Sequence, residues 1–250
     1  MTDAIEAAVL GTGLFAPAIG EGPADGPRGE LIEKRARRRC SVLTKALADV
    51  YGDALATSGL NGAEVDSVFG SALGEASTMI GLLDQMWREG GPLSPMRFAM
   101  SVHNAAAGVV SISTENRGFT TSLGADFDTP AMALVEAMGL VAVRHDPVVV
   151  ACGDEAAPAD LVEEVEWELL AAAVALGPVD VAPPGAPRIR GPLRPDPSLT
   201  VVPAGDAVER NPQAGLLDLV RAVRAGAPAM VRLDRGQGGG FYVEVRPGAP

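Results

Sequence analysis

The chain has 250 residues, 47% of them apolar but only 4% aromatic, and a formal net charge of −12. That length can bury a sizeable core built mostly from Ala, Val and Leu, and the negative balance argues against nucleic-acid binding, because phosphates are repelled over most of the surface. No apolar run reaches the ~20 residues that a membrane-spanning helix needs, and the first residues lack the basic start and cleavage site of a secretory signal, so a soluble cytoplasmic protein is expected.

Taken in chain order, residues 5–14 (I-E-A-A-V-L-G-T-G-L) read as a first strand with a glycine-containing exit. The G11-T-G13 pair lacks the third glycine and the helix of a dinucleotide fingerprint, and Pro17 interrupts, so no nucleotide cofactor is expected. Residues 20–29 form a Gly/Pro-rich loop. Residues 30–57 have helical periodicity, with Leu31, Ala36, Val42, Leu43, Ala46, Leu47, Val50 and Leu55 along one side. Arg37, Arg38 and Arg39 near its beginning read either as a solvated helix face or as a local basic patch. Residues 65–72 read as a second strand. A helix then spans 77–88, and its Met79, Leu82, Leu83, Met86 and Trp87 are expected in the core, or at an interface if the domain pairs with another. Residues 90–95 break it.

The run S101-V-H-N-A-A-A-G-V-V-S-I-S113 predicts a helix capped by Asn104. In T120-T-S-L-G-A-D-F-D-T-P-A-M-A-L-V-E-A-M138 a strand passes through a tight turn at 124–128 into a helix with Ala131, Leu134, Val135 and Met138 on one stripe. A buried strand follows at 148–152. Residues 158–175 give a helix and strand candidate, and the proline-rich residues 177–197 read as loop. A late helix at 211–226 has Asn211 as cap and Pro212 at its first position, and residues 241–245 alternate as an edge strand does. Cys40, placed in the first long helix, and Cys152, in the buried strand, supply neither a disulfide framework nor a C-x-x-C pair. His103 and His145 are the only histidines, so no metal site is expected.

Several blocks together resemble the N-terminal half of a β-ketoacyl synthase: R37-R-R-C-S-V-L-T-K-A-L47, V68-F-G-S-A-L-G-E75, L93-S-P-M-R-F-A-M-S-V-H-N104, the T-x-L-x-A strand before the turn, and V148-V-V-A-C-G-D-E155. The likeness covers residues 5–155 and is greatest to the short chain length factor proteins of aryl polyene and dialkylresorcinol pathways. It implies an α/β, thiolase-like layered αβαβα fold, truncated or degenerate in its second half. Residues 1–155 would be the synthase-like half, and 156–250 a shortened, proline-rich part packing on the same domain.

A condensing enzyme of the family carries a cysteine at the turn between strand and helix, where the helix dipole favours a thiolate. The resemblance places that position at Asp126 or Phe127, within Ala125, Asp126, Phe127 and Asp128, and neither is a thioester nucleophile. A carboxylate at a helix N-terminus is electrostatically comfortable without any catalytic role. The family's catalytic histidines and lysine lie in its C-terminal half, and no histidine follows residue 155. His103 precedes the turn and reads as a hydrogen-bonded structural histidine near an interface.

The resemblance therefore implies a non-catalytic subunit that pairs with an active β-ketoacyl-ACP synthase and shapes its acyl or polyene cavity in type II fatty acid or polyketide-like biosynthesis. Phe98, Phe127, Met132 and Met138 are the cavity candidates, and Ser101, Val102, His103 and Asn104 the interface candidates. Arg37, Arg38 and Arg39 are the candidates for contact with an acyl carrier protein. Two alternatives stay open: a stand-alone decarboxylase or hydrolase of acyl thioesters using Asp126, Asp128, His103 and Glu155, and a homodimeric scaffold.

Overall fold

A computed structural model describes residues 4–89, 92–159, 161, 167–193 and 204–248. Eight strands form one mixed sheet in the order β3-β2-β4-β5-β1-β6-β8-β7. These are β1 (Glu6–Phe15), β2 (Asp66–Gly70), β3 (Thr120–Leu123), β4 (Val148–Asp154), β5 (Leu170–Gly177), β6 (Arg188–Leu193), β7 (Ala229–Arg232) and β8 (Tyr242–Arg246). Strand β2 pairs in parallel with β3 and β4, and the other neighbours are antiparallel.

The helices are α1 (Lys34–Arg37), α2 (Val42–Ser58), α3 (Ala76–Asp84), α4 (Pro95–Ala99), α5 (Ala105–Ser113), α6 (Thr129–Arg144) and α7 (Ala214–Ala225). A layer of α2 and α5 packs on one sheet face and a layer of α6 and α7 on the other. This αβα sandwich has three of the five layers of the αβαβα plan that the resemblance implies. Among the described residues no helix is long and apolar enough to cross a membrane.

Every residue of β4 and β5 is buried, because helices cover both faces and the strands need no polar side. Alternation splits them between two cores: Val148, Val150, Cys152, Ala172 and Val174 face α6 and α7, whereas Val149, Ala151, Ala171, Ala173 and Ala175 face α2. Small side chains let α2 lie close. The G11-T-G13 pair has the same use: a Cβ at Gly13 would meet the Val50 carbonyl, and one at Gly11 would lie 2.6 Å from the Ala54 carbonyl oxygen.

The long helix expected over 30–57 is two. It stops after α1, turns through Arg38–Ser41, and restarts at α2, where the Ser41 Oγ caps the Thr44 N–H at 2.8 Å. Cys40 sits in that corner, not in a helix. Asn104 is at the N-cap position of α5, but its side chain makes no capping bond, and Val135 on α6 is exposed while Ala131, Leu134 and Met138 are fully buried.

The stripe on α3 and the π-helical turn Gln85–Glu89 is not core. Only Leu82 is buried; Met79, Leu83 and Met86 are exposed, and Trp87 is 92% exposed. Helix α7 starts after Gln213, so Asn211 is no cap; its Nδ2 instead donates to the carbonyls of Asp154 and Glu168. Within the supposed loop 177–197 the structure has β6, and β8 is an inner strand flanked by β6 and β7. Of the helix and strand candidate at 158–175, residues 160 and 162–166 lie outside the described residues, and the strand part is β5 from Leu170 onwards.

Candidate functional site at the carboxyl ends of the parallel strands

Parallel pairing of β2, β3 and β4 brings their carboxyl ends to one side of the sheet, the usual place for a site in an open α/β layer. Three loops converge there: residues 71–75, 124–128 and 155–159. The chain does bend sharply between β3 and α6. Asp126 sits at φ 51°, left-handed backbone that costs a non-glycine residue free energy and is typical of functional turns. Thr129 holds the bend, its Oγ1 accepting from the Ala125 N–H at 2.9 Å and donating to the Asp126 carbonyl at 2.7 Å. Asp126 is exposed and Phe127 half-buried. The Asp128 carboxylate accepts the Gly239 N–H at 2.8 and 3.0 Å, which ties the bend to the glycine loop between β7 and β8.

No thiol is available at this bend. Cys152 lies inside the sheet, and burial, then the Asp154 charge, pushes its thiol up, away from the thiolate. Burial raises Cys40 as well, with Lys45 partly offsetting it. His103 spans two strand ends, with Nε2 2.8 Å from the Ser71 carbonyl and Nδ1 3.2 Å from Ser122 Oγ. Donation from Nε2 to a carbonyl leaves Nδ1 as the acceptor of the serine hydroxyl in the neutral ring. Gly124 is required beside it, since a Cβ there would lie 2.7 Å from Ser71 O and 3.0 Å from His103 Nε2.

Two acids missed by the reading of the sequence organise the site. Asp154 at the end of β4 is wholly buried. Its Oδ1 accepts from Ser71 Oγ at 2.6 Å and Leu73 N at 3.0 Å, and its Oδ2 from Ala72 N at 2.9 Å and Gln213 Nε2 at 2.6 Å. Burial pushes its carboxyl up while these four donors pull it back. The available signal was an acid directly ending a wholly apolar strand.

Glu75 is also buried and accepts from Ser41, Thr44 and Thr78 hydroxyls at 2.8, 2.6 and 3.2 Å. Burial raises its carboxyl above the ordinary 4.5, the three hydroxyls offset this in part, and the Glu155 charge adds to it. The folded state therefore keeps this proton at a pH where the unfolded chain has released it. Relative to Glu75→Gln, the wild type is expected to lose stability as pH rises from about 4.5 towards neutrality, measured by urea unfolding of both proteins; parallel curves would contradict it.

Two cavities lie near the site loops. An apolar one of about 490 Å³ is lined by Leu73, Met79, Leu83, Met86, Phe98 and Val102, with Glu75 and His103 in its wall. A second, of about 550 Å³, lies between the α1–α2 corner, α3 and α4, and Glu155 enters it.

The site candidates thus separate. Phe98, 60% exposed, lines the apolar cavity with Ser101, Val102 and His103. Met138 is packed in the core, Met132 is half-buried at the edge of that core, and Phe127 stays at the bend. Arg38 and Arg39 line the second cavity, whereas Arg37 is spent on the carbonyls of Ile32 and Arg28. Asp126, Asp128, His103 and Glu155 are not brought together: His103 and Glu155 open on different cavities, and Asp128 is held by Gly239. Among the described residues no group of three His, Cys, Asp or Glu is placed to hold a metal ion.

No curated sequence matches the chain. Solved structures share its fold. A chain from the complex of a ketosynthase (ApeO) with its chain length factor (ApeC) from Xenorhabdus doucetiae superposes with a TM-score of 0.66 at 19% identity, covering 97% of this chain and 99% of that one. The ishigamide ketosynthase/chain length factor matches with a TM-score of 0.59 at 16% identity, over 74% of this chain and 65% of its own. A complex of a type II PKS acyl-carrier protein with its ketosynthase bound to the hexaketide gives 0.53 at 14%, over 71% and 59%. A family model described as β-ketoacyl synthase, N-terminal domain, matches residues 18–228, more than four-fifths of the sequence. The chain belongs to the β-ketoacyl synthase N-terminal domain family.

Proposed function

We propose that this chain is a non-catalytic chain length factor that pairs with an active β-ketoacyl synthase and helps bound the cavity in which a carrier-borne acyl or polyene chain grows. One observation carries the reading: the bend between β3 and α6 has a constrained backbone at Asp126 and holds no sulfur, and the resemblance puts the cysteine of a condensing enzyme at Asp126 or Phe127. The remaining thiols are buried, and His103 is occupied by Ser71 and Ser122. Two of the similar structures hold a ketosynthase with a chain length factor, and a third holds a carrier protein with its ketosynthase.

The surface also supports a partner. Strand β3 ends the sheet with no neighbour on its outer side among the described residues. Beside it Ile112 on α5 is 80% exposed, and Val102 and Phe119 are partly exposed. An unpaired edge flanked by apolar side chains is a surface that proteins cover. The apolar cavity around Phe98 then bounds the growing chain, and Arg38 and Arg39 remain for an acidic carrier. Among the described residues after 155, β5, β6, β7, β8 and α7 continue the same sheet and core, which supports reading the two parts as one domain.

Co-expression with candidate active β-ketoacyl synthases tests this: a 1:1 heterodimer is expected with one of them, with product formed only by the pair. Phe98→Ala is expected to shift carrier-bound products to longer chains by mass spectrometry. Turnover of acyl thioesters by the chain alone, or an unchanged profile from an intact Phe98→Ala pair, would count against it.

A further inference from the structure

The glycine loop between β7 and β8 has a feature that the pairing reading does not use. Its five N–H groups at 236–240 all have acceptors, and four of them are served from within the loop. Gly236 donates to Asp234 Oδ1 at 2.8 Å, Gly238 and Gly240 to Asp234 Oδ2 at 3.0 and 2.7 Å, and Gln237 to the Asp234 carbonyl at 2.9 Å. Arg232 holds the Asp234 carboxylate in turn, its Nε donating to Oδ1 at 2.6 Å. Arg235 fastens the same loop to Asp218 and Asp206 at 2.8 and 3.2 Å. The loop is thus tied from several sides, and the Gly239 N–H is the one donor that it leaves for the bend.

Asp128 takes that donor with both carboxylate oxygens, at 2.8 and 3.0 Å. The fit is close: a Cβ at Gly238 would lie 2.6 Å from Asp128 Oδ1, and one at Gly239 2.9 Å from Oδ2. Asp128 stands in the same short 3-10 turn as Asp126 and Phe127, the two positions to which the resemblance assigns the cysteine. A thioester carbonyl attacked there develops negative charge on its oxygen, and a fixed N–H is the kind of group that stabilises it. Here a carboxylate, itself negative, already sits on that N–H. Beside a thiol it would also disfavour the thiolate, because the charges are alike.

We propose that Asp128 is a built-in plug: it occupies the backbone donor that an acyl-thioester oxygen would need, so a cysteine restored to the bend would still lack its oxyanion site. The bend is then silenced twice, by the absence of sulfur and by the carboxylate that covers the Gly239 N–H. The proposal rests on the non-catalytic reading, but its test uses the full chain alone and needs no synthase.

Phe127→Cys and, separately, Asp126→Cys are made alone and with Asp128→Ala or Asp128→Asn, and the wild type is the blank for Cys40 and Cys152. Each is offered an acyl N-acetylcysteamine thioester. The installed thiolate attacks the carbonyl carbon, the bond to the N-acetylcysteamine sulfur breaks, and that sulfur leaves as a thiolate that takes a proton from water. Intact-protein mass spectrometry reads the acyl group gained. Alkylation by iodoacetamide, which passes through no oxyanion, reads the thiolate alone. With the acylation rate divided by the alkylation rate, Asp128→Ala is expected to raise the ratio about ten- to a hundredfold, the scale of one preorganised donor. Asp128→Asn removes the charge but keeps an oxygen to accept the Gly239 N–H, so its ratio is expected to stay near that of Asp128. In the wild type the Gly239 amide is expected to be protected from hydrogen exchange. Equal ratios with and without Asp128→Ala in both thiol backgrounds, an equal gain from Asp128→Asn, or free exchange of the wild-type Gly239 amide would overturn the proposal, and the last needs no variant to fold. Turnover of the thioester by the wild-type chain would overturn the non-catalytic reading and this proposal with it, and is told apart because no thiol has been installed.

Discussion

Replacing Asp154 by alanine is expected to lower the unfolding free energy by about 3–5 kcal/mol, at the upper end of single-residue effects. The reason is the number of groups that depend on one carboxylate. Ser71 Oγ, the N–H groups of Ala72 and Leu73, and Gln213 Nε2 all donate to it inside the protein. Each buried donor left unpaired costs about 1–3 kcal/mol before water or relaxation recovers part of it. Asp154→Asn keeps the shape and one acceptor oxygen but turns an amide N–H₂ towards donors, so an intermediate loss is expected. The measurement is urea unfolding with a slope unchanged from wild type. A loss within about 1 kcal/mol for Asp154→Ala would mean that this network does not hold the site loops together.

Gly215→Ala in α7 is expected to cost about 3 kcal/mol, near the upper end for an overpacked position. Its Cβ would fall on the Leu233 carbonyl, a backbone group that a rotamer change cannot move aside. Gly139→Ala in α6, where a Cβ meets nothing within 4 Å, is expected to raise stability by about 0.5–1 kcal/mol through helix propensity. The same chemical change thus acquires opposite signs from packing alone. Thermal unfolding of the two variants reads this directly, and a Gly215→Ala protein as stable as wild type would show that α7 lies further from the 233 backbone than described.

Much of the site was written in local sequence. Alternation and wholly apolar runs gave β1, β2 and β4, because a strand covered on both faces has no polar side to hide. The Gly–Ala–Asp–Phe–Asp bend between a strand and a proline-started helix was legible too, as was the absence of sulfur from it. What the sequence misread shares one cause. Whether Met79, Leu83, Met86 and Trp87 were core or surface depended on which neighbour covers them, and a periodic stripe carries no record of that.

The remaining differences are longer in range. Ser71, Asp154 and Gln213 are separated by 83 and 59 residues and meet only because β2 and β4 pair in parallel and α7 returns to their ends. Strands β6 and β7 are short, with Pro192 within β6, and their ladders exist because β1 and β8 offer partners. Residue types and order by themselves determined the family, the layered α/β class and the absence of cysteine from the bend, since these rest on side-chain chemistry and near-neighbour periodicity. Only the tertiary structure decided which arginines face a cavity, which acid anchors the loops and which apolar face stays open, because burial and hydrogen bonding are properties of distant segments brought together.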